Sequence, residues 1–156
     1  MLKIAIRELQ HGPVETRGEL SPRDPAFEGL DLPLAGPVSV VGQLQATAGE
    51  DFLWRGAIRA TARLPCRRCL ADVECQVDRH VDVLLTSDAE AAEDPSVYPL
   101  PDAATQVDLA GIVREELALE VPGYVLCRDD CAGLCPMCGA DLNAGPCTCV
   151  RPAEPV

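Results

Sequence analysis

Between residues 38 and 85 apolar and polar side chains alternate with a period of two. From Val38 to Ala48 the even positions are Val38, Val40, Gly42, Leu44, Ala46 and Ala48, and the odd ones include Ser39, Gln43, Gln45 and Thr47. Gly49-Glu50-Asp51 makes a turn. From 52 to 64 the even face carries Phe52, Trp54, Ile58, Ala60, Ala62 and Leu64, and the odd face carries Arg55, Arg59, Thr61 and Arg63. After Cys66-Arg67-Arg68-Cys69 the phase reverses. Val73, Cys75, Val77, Val81, Val83 and Leu85 now fall on odd positions, with Arg79 the exception, and Glu74, Gln76, Asp78, His80 and Asp82 on even ones. Successive side chains of a strand point to opposite faces, so each run reads as a strand with one buried face. Together they predict an antiparallel meander whose second hairpin turns at residues 66–69.

The flanking pattern is less regular. Residues 1 to 10 read as a strand through Ile4 and Ile6. Residues 11 to 37 hold five prolines and four glycines, which predicts a long irregular loop with at most a short helical turn. Residues 86–105 are acidic and rich in alanine and proline, and read as a mobile insertion. Asp108 is a good helix N-cap. Leu109, Ile112, Val113 and Leu117 then follow at helical spacing until Pro122-Gly123. The expected fold is α+β. A mainly antiparallel β meander or barrel-like sheet spans residues 1–126 with one packed helix at 109–120. A Cys-rich tail at 127–150 packs on the 66–69 hairpin, and Arg151 to Val156 are expected to fray.

Six of the nine cysteines lie between 127 and 149. Cys135-Pro136-Met137-Cys138-Gly139 has the form of a metal knuckle: two thiolates two residues apart grip one ion, and the glycine lets the backbone turn its amides toward sulfur. Cys147 and Cys149 form a second pair across a loop of turn formers, Asn143, Gly145 and Pro146. Cys66 and Cys69 form a remote CxxC, which Cys127 and Cys131 complete. This predicts two four-thiolate sites, Cys66/Cys69/Cys127/Cys131 and Cys135/Cys138/Cys147/Cys149, because the second closes the smaller loop. The rival grouping joins Cys66 and Cys69 to Cys135 and Cys138, as in rubredoxin-like ribbons. Cys75 lies on an apolar face and reads as a small buried hydrophobe. Two zinc ions are expected; iron suits the same donors and defines an electron-transfer alternative. Four thiolates leave no open position, so a stapling role outweighs catalysis. A thioredoxin-like role for Cys66 and Cys69 needs a strand-to-helix setting, and here the motif joins two strands.

Net charge narrows the partners. At −12 for 156 residues, the chain does not attract nucleic acid through its overall charge. Two four-thiolate zinc sites would lower the total further, to about −16. The one basic patch is Arg55, Arg59 and Arg63 continued by Arg67 and Arg68. If the hairpin pairs residues whose numbers sum to 137, the first three face Asp82, Asp78 and Glu74 as ion pairs. That leaves Arg67 and Arg68 as the candidate partner-binding residues. Aromatic residues are 3%, too few for a base-stacking platform. No stretch approaches the roughly 18 apolar residues of a membrane span, and Met1 to Glu8 lack a signal-peptide core. Cysteines in close pairs with no signal favour a reducing, cytoplasmic setting over disulfides.

The order of features resembles a known family. Cys66-Arg67-Arg68-Cys69-Leu70 precedes an acidic stretch. Val107-Asp108-Leu109 opens a helix, and Glu115-Glu116-Leu117-Ala118-Leu119-Glu120-Val121-Pro122 closes it. Cys127 and Cys131 lead into Gly133-Leu134-Cys135-Pro136-Met137-Cys138-Gly139-Ala140-Asp141-Leu142-Asn143. This is similar to the YceD family of large ribosomal RNA subunit accumulation proteins, over roughly residues 38 to 149. The resemblance implies a non-enzymatic bacterial cytosolic factor supporting accumulation of large-subunit ribosomal RNA. Its partner would be that RNA or a basic ribosomal or assembly protein. The alternatives are a rubredoxin-like redox metalloprotein and a structural zinc interaction module outside ribosome biology.

Overall fold

The structure is a computed structural model that describes residues 2–149; the expected fraying of Arg151 to Val156 lies outside the described residues. The chain divides into two units, Met1–Ala62 with Cys75–Val121, and Arg63–Glu74 with Pro122–Val156. The elements are β1 (Lys3–Ala5), α1 (Ile6–Leu9), β2 (Val14–Leu20), β3 (Val38–Ala46), β4 (Phe52–Pro65), β5 (Asp72–Thr86), β6 (Val97–Pro99), β7 (Gln106–Asp108) and α2 (Ala110–Glu120), with 3-10 turns at Pro25–Phe27, Ala91–Glu93 and Leu142–Ala144. This is an α+β architecture. No helix among the described residues is long and apolar enough to cross a membrane.

The main sheet has the order β2-β3-β4-β5-β6. β3 pairs antiparallel with β4 from Ala46↔Phe52 to Ser39↔Arg59. The long strands follow the period-two pattern: Val38, Val40, Leu44, Trp54, Ile58, Val77, Val81, Val83 and Leu85 are all buried. Arg55–Asp82, Arg59–Asp78 and Arg63–Glu74 are ion pairs of 3.0, 3.1 and 2.7 Å, and Thr61 bonds Gln76 at 3.1 Å. All four pairs follow the expected register, so the arginine stripe is neutralised across the strands. Cys75 is half-buried, not buried, where β5 nears its outer end.

Four expectations change. The barrel does not close: β6 is three residues long and joins β5 in parallel, leaving β2 and β6 as the two edges of an open, mixed sheet. The stretch expected as irregular loop contains a seven-residue strand, β2, paired with β3 from Val14↔Leu44 to Leu20↔Val38. Its inward positions include Thr16 and Gly18, which hide the alternation. Thr16 is buried because its hydroxyl accepts the Trp54 indole N–H at 3.0 Å. The N-terminal strand ends at Ala5. Ile6 and Leu9, three residues apart, turn one side of a short helix inward, and Leu9 is buried. The acidic segment is partly packed: it contributes β6, and Tyr98 and Leu100 lie against the core.

Helix α2 covers the sheet of its unit with Ile112, Val113 and Leu117, preceded by fully buried Leu109. The N-cap is Leu109 and not Asp108 as expected; Asp108 stands one residue earlier, where its carboxylate accepts the Ala110 N–H at 3.0 Å. Buried Glu116 explains the one charge on the apolar face of β5. It meets Arg79 at 2.9 Å and accepts the Tyr98 hydroxyl at 3.0 Å. No buried side-chain polar atom among the described residues lacks a partner.

Candidate metal centre

The second unit is built from two turns of the same design. In the first, the Cys66 N–H donates to Ala71 O at 2.7 Å and the Leu70 N–H to Cys66 O at 3.0 Å. In the second, the Cys135 N–H donates to Ala140 O at 2.8 Å and the Gly139 N–H to Cys135 O at 2.8 Å. Both turns need a left-handed residue one place after the second cysteine. Gly139 takes it at φ +74°. In the first turn the same place is held by Leu70 at φ +63°, the one non-glycine residue with positive φ among the described residues.

These turns bring the sulfurs together in two sets. Cys66, Cys69, Cys127 and Cys131 form one, and Cys135, Cys138, Cys147 and Cys149 the other; within each set the sulfurs lie within 4.8 Å of one another. Cys66 Sγ is 3.8 Å from Cys131 Sγ, and Cys69 Sγ is 3.6 Å from Cys127 Sγ. Four sulfurs about 2.3 Å from a tetrahedral zinc stand about 3.8 Å apart, so the donor set fits that ion. Cys66 and Cys69 do not join Cys135 and Cys138, as a rubredoxin-like ribbon would require.

The titration behaviour has the same origin. Cys66 lies well below the usual thiol range, at about 6, held down first by the Cys69 backbone N–H. Cys135 is also at about 6, through the backbone N–H groups of Cys138 and Met137. The Asn143 side chain lowers Cys131. Cys127 is pushed up to about 12 by burial and by its thiol neighbours, and Cys149 to about 12 chiefly by Cys138. Four adjacent sulfurs cannot all carry negative charge without a cation, so some hold protons while others ionise. A divalent cation is the compensation such a set calls for.

One supporting residue was not foreseen. Asn143, expected only as a turn former, donates its side-chain amide to Cys131 Sγ at 3.4 Å. Its carbonyl accepts the Ala132 N–H at 2.8 Å and Arg128 at 2.7 Å. Its own N–H caps on Asp141 at 2.9 Å. The signal in the sequence was a polar side chain closing the most specific motif. Gly133, at φ +78°, lies against Arg68, and an added Cβ would meet Arg68 O at 3.2 Å.

The two candidate arginines have different fates. Arg68 donates to the carbonyls of Cys131 at 3.0 Å and Asp129 at 3.4 Å, so its guanidinium is committed inside the unit. Arg67 lies 5.9 Å over the exposed Tyr124 ring. Leu70, Tyr124 and Met137 are exposed by 63%, 56% and 66%; the fourth large exposed apolar side chain among the described residues is Leu119 of α2.

Among known proteins, the family model described as large ribosomal RNA subunit accumulation protein YceD matches residues 54–155. An uncharacterized protein of Mycobacterium bovis is 27% identical over 172 residues, 92% of this chain and 82% of the relative. An uncharacterized protein of Mycobacterium leprae is 30% identical over 125 residues, 76% of this chain and 56% of the relative. A Zea mays protein named large ribosomal RNA subunit accumulation protein YCED homolog 1, chloroplastic, is 25% identical over 191 residues, 93% of this chain and 64% of the relative. No solved structure matches the chain.

Proposed function

The chain belongs to the YceD family of large ribosomal RNA subunit accumulation proteins, and from that membership we propose that it is a non-enzymatic, zinc-stapled cytoplasmic factor supporting large-subunit ribosomal RNA accumulation. Family membership is the observation that carries the reading. The sulfur spacing supports zinc, held by Cys66, Cys69, Cys127 and Cys131 and by Cys135, Cys138, Cys147 and Cys149. Zinc in all-thiolate coordination supplies structure and no vacant position for substrate, which supports a role without catalysis. The partner is the large-subunit RNA or a basic protein of the particle. Cells lacking the protein are expected to show less large-subunit than small-subunit RNA. Equal ratios in mutant and parent, across growth conditions, would sink the reading.

The contact face in this reading is the first cysteine turn, with Arg67, Leu70 and Tyr124. Leu70 supports it most directly. The equivalent place in the second turn is glycine, and a side chain in left-handed backbone costs roughly 1–2 kcal/mol. Leu70→Gly is expected to keep or raise the melting temperature while weakening capture of ribosomal particles from lysate. Unchanged capture would move the contact elsewhere. Arg67→Ser is expected to leave stability within about 1 kcal/mol while weakening capture. Arg68→Ser is expected to destabilise the unit by about 1–2 kcal/mol, because two backbone carbonyls lose their donor. A substitution at Arg68 therefore does not isolate binding, whereas one at Arg67 does.

A further inference from the structure

The acidity of the chain is concentrated in one unit. Met1–Ala62 with Cys75–Val121 carries eight Lys and Arg against nineteen Asp and Glu, a formal charge of −11. The described residues of the other unit carry four against five. Ion pairing within the acidic unit accounts for some of these carboxylates, as with Asp78, Asp82 and Glu116.

The same unit contains a cavity of about 270 Å³, whose wall combines Ile6, Leu9, Phe52 and Leu100 with the polar side chains of Gln10 and Ser87. Glu50 and Asp102 also line it, and both are exposed. Neither carboxylate has a hydrogen bond or an ion pair with another described residue. The volume falls below the roughly 300–1,000 Å³ of a cofactor or drug-sized site. A bare cation is disfavoured because the four apolar side chains offer it no ligand, and exposed, hydrated carboxylates hold a single ion only weakly. Unpaired carboxylates in a unit of charge −11 disfavour nucleotides and RNA. What remains complementary is an aliphatic side chain next to positive charge.

We propose that this cavity docks a basic polypeptide segment, seating one aliphatic side chain among Ile6, Leu9, Phe52 and Leu100 while neighbouring Lys or Arg residues meet Glu50 and Asp102. The inference rests on the protein-partner arm of the proposed function and deepens it, adding to the contact at the first cysteine turn a second site and a composition for that partner. Overall charge steers the segment in, and the apolar anchor selects it.

The test is fluorescence anisotropy on the full-length, zinc-loaded protein near physiological salt. The probe is a labelled nonapeptide with one leucine between two pairs of lysines, padded with glycine. Replacing its leucine by glycine is expected to weaken binding about tenfold, the scale of one buried leucine. Ala46 lines the cavity and is exposed, so Ala46→Trp fills the space from the surface. It is expected to bring the same tenfold loss, with zinc content and melting temperature kept. Glu50→Gln with Asp102→Asn is expected to weaken the lysine peptide about fivefold and flatten its salt dependence. Equal binding of the leucine and glycine peptides would overturn the proposal, leaving general charge attraction only. So would peptide binding that both cavity variants leave untouched. Competition from a single-stranded RNA 20-mer, abolished by Ala46→Trp, would make nucleic acid the occupant and overturn it as well. The ribosomal RNA ratio in cells lacking the protein is read separately. A lowered ratio with no peptide binding removes this inference alone.

Discussion

Cys147→Ser with Cys149→Ser is expected to leave one zinc per chain and an intact main sheet. Cys66→Ser with Cys69→Ser is expected to leave one zinc at the other site. The reason is the partition of sulfurs into two closed sets that share no cysteine. Each structural zinc contributes on the order of 10 kcal/mol to ordering its own region, so each pair of substitutions melts one centre and leaves the other loaded. Metal analysis with circular dichroism reads both outcomes. Loss of both metals from either double variant would refute the partition. A coloured, reducible protein would replace zinc by iron and favour a redox role. Truncation after Leu134 is a poorer test, because it also deletes Asn143, whose amide reaches Cys131 in the other set. Removing such an outer hydrogen bond typically costs 10–100-fold in metal affinity. Asn143→Ala alone is therefore expected to weaken zinc at the first site by about tenfold or more while leaving the second site unchanged. Competition with a chromogenic chelator reads this difference.

Gly42→Ala is expected to destabilise the larger unit as much as removing its central side chain. Gly42 and Gly56 face each other on β3 and β4. A Cβ on Gly42 would collide with Arg55 O and stand 2.7 Å from Gly56 Cα and 2.9 Å from the Trp54 indole nitrogen. A Cβ on Gly56 would stand 2.7 Å from Val41 O and 2.8 Å from the indole ring. The two glycines thus make the bed in which fully buried Trp54 lies. Two of the atoms nearest Gly42 are backbone and cannot swing aside, so the strands themselves must shift. Trp54→Ala is expected to cost about 3–5 kcal/mol by opening a cavity, and it also leaves the Thr16 hydroxyl without its donor. Gly42→Ala reaches a similar cost by the opposite route, overpacking against an immovable neighbour. On a total of about 5–15 kcal/mol, either change is a large fraction. Thermal melts of Gly42→Ala, Gly56→Ala and Trp54→Ala decide it. A Gly42→Ala melting temperature within a degree or two of the parent would show that the strands yield easily.

Much of this architecture follows from local sequence. Period-two alternation placed β3, β4 and β5 to within two residues at each end, because one face of each strand must be apolar to be buried. The phase change across residues 66–69 fixed which faces of β4 and β5 pair, and the register summing to 137, one of those it allows, is the one that joins each arginine to its carboxylate. Helix α2 was legible from its spacing and from Asp108, and its breaking point from Pro122. The close cysteine pairs announced their chemistry through spacing alone. Other features depend on partners far away in the chain. β2 was hidden because Thr16 is buried only by virtue of the Trp54 indole, 38 positions on. Arg79 breaks the apolar pattern of its face, and its reason is Glu116, which pairs with it and is held in turn by the Tyr98 hydroxyl. Arg68 looked like a free basic residue, yet the carbonyls of Asp129 and Cys131 take it up. The acidic segment looked unpacked because three residues of β6 are too short for an alternation to register. Composition could not show that nearly all the net negative charge sits in the unit that holds the cavity of Ile6, Leu9, Phe52 and Leu100, since a sum over the chain has no location. Periodicity reports which face of an element is buried; what lies against that face is set by tertiary contacts between residues distant in sequence.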